Sequence, residues 1–510
     1  MELWTFQRFQ QPRLCVDAIE HDHDSATVKL RSGAKTYRLA FDQPAAAEQI
    51  AIELMSLTDS AAPLWSTLRE SPPDSSWHAL GTFLDTHSLI GEGHDQATAQ
   101  LAAQTRRIRD CVEETARKVS AGISPERRSA MARHAAQLRQ KLGRTSTTGH
   151  LFEPGGDPFD ASVQPNFFLA LLLVEFEYFR RSAPLTFAAT DLLLEQLAAG
   201  MDAGQAPDIA AAITDSAGLY NEHDLFSHLW LVGSLLLSST GDDARRYPSA
   251  ALPAPFVTTG LEFMRQTEVL TRDTLDSWGE NPYVTAINRL NGAYSPLVAG
   301  PFIEQYHVTS RFVEIITPLL SMRLAKPLRS MMFRYYSEEY GHEALESTTC
   351  EALGVAPAML EKIVPLPLHF AFVDTLTLLA DLDPISSFTA IMVIEGIFGE
   401  PPKMSLRLAA AARENAAFRE VSGDHEELNE TLNHNSISRD MFEHVTALGI
   451  ERQAIAMRRI LFLLELNQRA WGGIADFYGQ QEQLWLHGPY GQRLAPDQAS
   501  KTAQAASGKA

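Results

Sequence analysis

Hydrophobic and polar positions alternate with a period of two in one short stretch near the start of the chain. Val28 and Leu30 have polar neighbours, and after Ser32-Gly33-Ala34-Lys35 the alternation resumes at Tyr37, Leu39 and Phe41. Successive side chains of a strand point to opposite faces, so two such runs joined at a glycine predict a hairpin. Beyond it the period lengthens to that of a helix. Amphipathic segments are expected at Ala45–Leu57 and Trp77–Ser88. Periodic runs rich in Ala, Leu, Gln and Arg fill residues 96–270, and longer helical runs cover 271–480. Pro301, Pro327, Gly354, Pro365, Pro367, Pro384 and Pro401-Pro402 punctuate these last runs, where helix starts and stops belong.

The pattern predicts a mainly α fold. A chain of 510 residues is too long for one helical core, so it is divided into domains. The expected parts are a small α+β, winged-helix-like module at residues 1–95, a helical domain at 96–270, a helical bundle at 271–485 and a disordered tail at 486–510. The tail is rich in Gln, Ala, Ser and Lys.

Composition narrows the function classes. The formal charge of −20 argues against nucleic-acid binding, which needs clustered Lys and Arg, and against docking on anionic membranes. No apolar run reaches the length of a bilayer span. The start, Met1-Glu2-Leu3-Trp4, lacks a basic flank before an apolar core, so a secretory signal is not expected. The cysteines, Cys15, Cys111 and Cys350, are odd in number and far apart, which argues against a disulfide framework or a thiolate zinc site. A cytoplasmic location follows as the expectation.

Four segments of the last region set a carboxylate or an imidazole in apolar surroundings. They centre on Glu304-Gln-Tyr-His307, on Glu338-Glu339-Tyr-Gly-His342, on Glu395 and on His425 with Glu430 and His434. Side chains three or four apart share a helix face, so Glu339 with His342, and Glu430 with His434, can reach one point. Helical di-iron proteins build sites this way, and carboxylate with imidazole suits iron or manganese. Glu395 is the only charge in residues 385–398, and an ionised carboxylate in a dry core needs a partner or a metal. Glu314 competes with Glu304. His307 is a ligand's hydrogen-bond partner or a surface residue. Asp440 with His444 rivals the fourth segment, where His425 and Glu430 are five apart and fall on different faces of an ideal helix. Glu222, His223, Asp224 and His228 read as a polar helix start. Trp471 and Tyr478 read as core anchors. No nucleophile elbow, phosphate loop or dinucleotide fingerprint occurs.

The last region resembles the haem-oxygenase-like fold and, within it, the iron-containing diiron oxidases and oxygenases. The likeness rests on Glu304-Gln-Tyr-His, on Glu338-Glu339-Tyr-Gly-His342 followed by Leu353-Gly354, on Pro365-Leu-Pro-Leu, on Asp383-Pro384, on Val393-Ile-Glu395-Gly and on Glu465-Leu-Asn467 before Trp471. The resemblance implies metal ligands Glu304, Glu339, His342, Glu395, His425, Glu430 and His434, two Fe(II) per chain and O2 as co-substrate. The final set departs from the family pattern: each gap is one residue longer, and Glu stands where Asp is usual. The implied reaction is oxidation of a small amine or amino-acid-derived substrate in specialised biosynthesis by N-oxygenation. Oxidative C–C cleavage, desaturation, a cofactor-independent oxidase and a binding scaffold are the alternatives. The resemblance of residues 1–95 to peptide-binding modules of biosynthetic enzymes is loose and implies a carrier- or peptide-tethered substrate. A homodimer is expected.

Overall fold

The computed structural model describes residues 9, 11–21, 26–59, 62–92, 94–148, 157–198, 207–248, 252–253, 256–290, 295–395, 404–413, 415–421 and 436–496. The chain divides into two compact units, residues 1–107 and 108–510.

The first unit holds the predicted hairpin. Strands β1 (Pro12–Leu14), β2 (Ala18–His21), β3 (Thr27–Ser32) and β4 (Lys35–Ala40) precede helices α1 (Pro44–Ser56), α2 (Leu64–Glu70) and α3 (Ser76–Thr86) and strand β5 (Ile90–Glu92). β2, β3 and β4 form an antiparallel sheet in that order, with Val28 opposite Leu39 and Leu30 opposite Tyr37. Gly33 turns the β3–β4 hairpin at φ +58°, where a side chain would strain the backbone. β1 pairs with β5, a two-stranded sheet that the alternation did not reveal because both strands are three residues long. Val28, Leu30, Leu54, Trp65 and Leu84 form the core between sheet and helices.

Helix α4 (His94–Val119) continues into the second unit. There follow α5 (Pro125–Thr148), α6 (Phe167–Ser182), α7 (Pro184–Leu197), α8 (Ile209–Asp215), α9 (Glu222–Ser238), α10 (Gly260–Trp278) and α11 (Pro282–Asn288). Next come α12 (Pro296–Ser310), α13 (Phe312–Ser321), α14 (Lys326–Glu339), α15 (Glu343–Ala352), α16 (Pro357–Leu360), α17 (Pro367–Leu382) and α18 (Pro384–Glu395). The series ends with α19 (Met404–Ala411), α20 (Ile437–Phe442) and α21 (Ile450–Tyr478). No described helix is long and apolar enough to cross a membrane.

The boundary expected at residue 270 does not separate compact units. α17 is buried at every position from His369 to Ala380, and it packs against α6 and α9 of the middle region as well as α12, α13, α18 and α21. A helix apolar all round needs neighbours on every side, and the middle region supplies some of them. The expected tail also begins with ordered structure. β6 (Leu486–His487) pairs with β7 (Arg493–Leu494), and Leu486 is fully buried.

Pro327, Pro367 and Pro384 stand at helix starts, as the punctuation predicts. Pro301 does not: it lies inside α12. A proline there frees the carbonyl four residues earlier, on Leu297. The Tyr283 hydroxyl donates to that carbonyl at 3.0 Å, which lets the helix continue. Gly300 beside it has no room for a Cβ, which would lie 2.6 Å from the Tyr478 ring.

Candidate functional site

The predicted ligands among the described residues, Glu304, Glu339, His342 and Glu395, do not converge on one point. They divide between two polar nests, and a third nest was not predicted as a site.

The first nest surrounds Tyr335 on α14. Glu339 ends that helix, and Gly341 (φ +93°) turns the chain before α15. Glu339 and His342 therefore meet across a turn rather than on one helix face, with Nδ1 of His342 2.7 Å from Oε2 of Glu339. Glu395 is the last described residue of α18 and is half-buried, so the dry core expected around it is not observed. The Tyr335 hydroxyl donates to Oε1 of Glu395 at 2.5 Å. Burial, then the charges of Glu395 and Glu339, push the Tyr335 phenol well above its ordinary range. Tyr335 thus bonds one predicted ligand, Glu395, and lies near the charge of a second, Glu339, while the edge of Phe312 packs on its ring.

Glu304 lies in the second nest, with fully buried Glu346 and Cys350 of α15 and His369 of α17. Oε2 of Glu304 accepts the Leu366 N–H at 2.8 Å and Oε1 accepts the Tyr478 hydroxyl at 3.0 Å. His369 Nδ1 stands 3.8 Å from Oε2. Burial pushes Glu304 up to about 8, against the pull of its two hydrogen bonds. Burial likewise raises Glu346 to about 8 and holds His307 and His369 down at about 3. The nest therefore contains neutral carboxyls and neutral imidazoles near pH 7. His307 Nε2 and His369 Nδ1 are shielded from solvent and have no hydrogen-bond partner among the described residues. Glu314, the rival of Glu304, is part-exposed and paired with Arg311 at 2.7 Å.

The third nest is centred on Asp374, fully buried on α17. Arg311 donates to its Oδ1 at 2.7 Å, and His228 Nε2 lies 3.0 Å from its Oδ2. Nδ1 of His228 donates to the Asp224 carbonyl one turn earlier, at 2.7 Å. Against the cost of burial, Arg311 and then His228 hold Asp374 well below the usual carboxylate range. Glu175 on α6 is pushed well up by its own burial and by Asp374. Glu222, His223 and Asp224 do form a helix start, capped by Asn221. His228 leaves that group for the core. Its signal was available: with Glu175, it interrupts otherwise apolar helices, the same reasoning applied to Glu395.

His369 and Asp374 are five apart on α17, ~140° around the helix axis, and so serve different nests. Tyr478 is the anchor expected, yet its hydroxyl also positions Glu304. Asp440 and His444 are exposed, and α20 ends at Phe442, between them, so they do not share a helix face. His425, Glu430 and His434 lie outside the described residues. Among the described residues, no three His, Cys, Asp or Glu side chains are grouped to hold one ion. The donor types and the shielded imidazole nitrogens suit a metal, while the described donors supply pairs only.

No family model and no curated protein matches the chain. A similar solved structure is a domain of unknown function with a heme oxygenase-like fold from Shewanella denitrificans OS217. It is 15% identical, with a TM-score of 0.34, and the match covers 43% of this chain and 92% of that one. A score this low carries no argument about function or detailed fold.

Proposed function

We propose that the helical unit is a haem-oxygenase-like, O2-dependent non-haem diiron oxidase that N-oxygenates a small amine or amino-acid-derived substrate in specialised biosynthesis. The observation that supports this most is the contact of Glu339 with His342 beside Tyr335, whose hydroxyl donates to Glu395. The Glu339–His342 pair would supply two donors to one ion, and Glu395 would have to move toward them to add a third. His425, Glu430 and His434 would contribute to the second, with Glu304. Bound Fe(II) would supply the electrons that reduce O2.

The chain's own side chains prepare the setting. Tyr335 keeps its proton against two nearby carboxylates and so orients Glu395 as a hydrogen-bond donor. Glu304 is protonated up to about pH 8 and would release that proton as positive charge arrives. The apolar faces of α17 and α18 limit water. Residues 1–95, which fall in the compact unit 1–107, would recruit a carrier- or peptide-tethered substrate. Deleting them should impair turnover of a tethered substrate and spare a free one.

Anaerobic titration with Fe(II) should load two ions per chain, and exposure to O2 should give a transient visible absorption. Glu395→Ala should lose iron while its far-ultraviolet circular dichroism is unchanged. A protein that binds no iron overturns the reading. C–C cleavage or desaturation would keep the metal result and change the product's mass.

A second reading, a cofactor-independent oxidase or binding scaffold, draws support from Glu304, because both its carboxyl oxygens already have protein partners. Unchanged metal content and activity in Glu395→Ala would favour it.

A further inference from the structure

α21 contains two adjacent glycines, Gly472 and Gly473, inside the helix and before its last turn. Each costs a helix roughly 1 kcal/mol relative to alanine. Glycine in such a place normally answers a tight approach or a left-handed backbone. Neither applies here: a Cβ at either position would meet nothing within 4 Å, and neither residue has positive φ. What both do is line a cavity of about 360 Å³. At ~30 Å³ per water, that is space for about a dozen waters or a ligand of similar heavy-atom count. The glycines keep this space empty of side chains and let an occupant approach the helix backbone.

The cavity's chemistry selects the occupant. Phe168, Leu235, Leu366 and Leu368 give it an apolar wall. The one cation among its described lining residues, Arg469, is nearly fully buried and already committed. Nε and Nη2 donate to Glu465, Nη1 donates to the backbone and side chain of Asp243, and Nη2 also donates to the Arg245 carbonyl. That accounts for all five guanidinium N–H groups, so an anion finds no free charged donor on Arg469, and the remaining donors of the lining, such as Gln468 and Tyr247, are neutral. Asp243 and Asp476 stand exposed at the solvent side, and Asp476 has no ion pair among the described residues.

We propose that this cavity binds a small organic ammonium ion, its charge at Asp476 and its apolar body against Phe168 and Leu366. The inference stands on the cavity and does not require iron. It also deepens the preceding reading by locating the amine: Leu366, in the cavity wall, donates its N–H to Glu304.

Calorimetric titration of the iron-free, full-length protein tests it with three probes of similar shape: phenethylamine, 3-phenylpropionate and 2-phenylethanol. Phenethylamine should bind at least tenfold more tightly than the other two. Asp476→Asn should weaken phenethylamine at least tenfold and leave 2-phenylethanol unchanged. Gly473→Leu should abolish binding, whereas Gly473→Ala should leave the melting temperature equal or higher, since no structural contact requires the glycine. Equal affinity for the carboxylate, no heat with any probe, or full binding by Asp476→Asn overturns the proposal. Because iron is absent throughout, failure here leaves the metal reading standing, and failure of Fe(II) loading leaves this one standing.

Discussion

Asp374 and Glu304 are both carboxylic acids buried in one helical unit, and they exist in opposite protonation states. Asp374 faces a guanidinium at 2.7 Å and is held below the usual range. Glu304 faces only neutral donors, a backbone N–H and a phenol, and is pushed up to about 8. Two neutral hydrogen bonds do not offset the cost of burying a charge, whereas a cation in contact does. The difference separates two purposes. The Asp374 nest has its positive charge built in and ties α9 and α17 to the junction of α12 and α13, with Glu175 of α6 beside it. The Glu304 nest has acids, imidazoles with shielded nitrogens and, among the described residues, no cation of its own. It is arranged to accept positive charge rather than to provide it.

The largest expected effect comes from removing the built-in cation. Arg311→Met leaves Asp374 buried beside its remaining partner, and an uncompensated buried charge costs about 3–5 kcal/mol. Urea denaturation at pH 7 should show that loss in the midpoint. Glu304→Gln should cost under about 1 kcal/mol under the same conditions, because the carboxyl it replaces is already neutral and an amide oxygen can still accept the Leu366 N–H. Similar losses in the two variants would break the distinction.

Both acids were visible in the sequence, but their roles were not equally legible. Glu304 stands out because it interrupts an apolar helix beside a second polar residue. Asp374 interrupts an equally apolar helix and was passed over, because its partners Arg311 and His228 are 63 and 146 positions away. Periodicity reports which face of a helix is buried and not what that face meets. The same limit explains Glu339 and His342. Their spacing predicts that they meet, and they do, but Gly341 breaks the helix between them, and only the backbone shows that the contact crosses a turn. It also explains the missed boundary at residue 270. The all-apolar pattern of α17 says that it is buried, while α6 and α9, which bury it, lie far back along the chain.

A medium effect concerns pH. Glu304 and Glu346 ionise near 4.3 in an unfolded chain and at about 8 in the fold. Their stabilising contribution is complete below about pH 4.3 and is lost as pH rises through 8. His307 and His369 run the other way: near 6.5 unfolded and about 3 folded, they favour the fold above about pH 6.5 and lose that contribution as pH falls. Between roughly pH 4.5 and 6.5 the two pairs oppose each other. Above that window only the carboxyls are still changing, so the unfolding midpoint should fall between pH 6.5 and 8. Asp374, already ionised, contributes nothing to this slope. Fe(II) under anaerobic conditions should flatten it, because a bound cation favours the ionised carboxyls. A slope that persists with Glu304→Gln and Glu346→Gln combined would place its origin elsewhere.

The smallest effect isolates a single hydrogen bond of the comparison. Tyr478→Phe removes the hydroxyl that donates to Oε1 of Glu304 and leaves the Leu366 bond intact. A neutral hydrogen bond of this kind contributes about 1 kcal/mol net, so the midpoint at pH 6 should move by that amount or less. The informative change lies in the pH profile. The Tyr478 hydroxyl favours the ionised carboxylate and lowers the Glu304 value, so without it the alkaline fall in stability should shift to higher pH. The same substitution leaves Asp374 with every partner it had, and its contribution at acid pH should be unchanged. If the acid limb moved as well, the two nests would be coupled through α17, and the division between a charge-compensated cross-link and a receptive site would no longer hold.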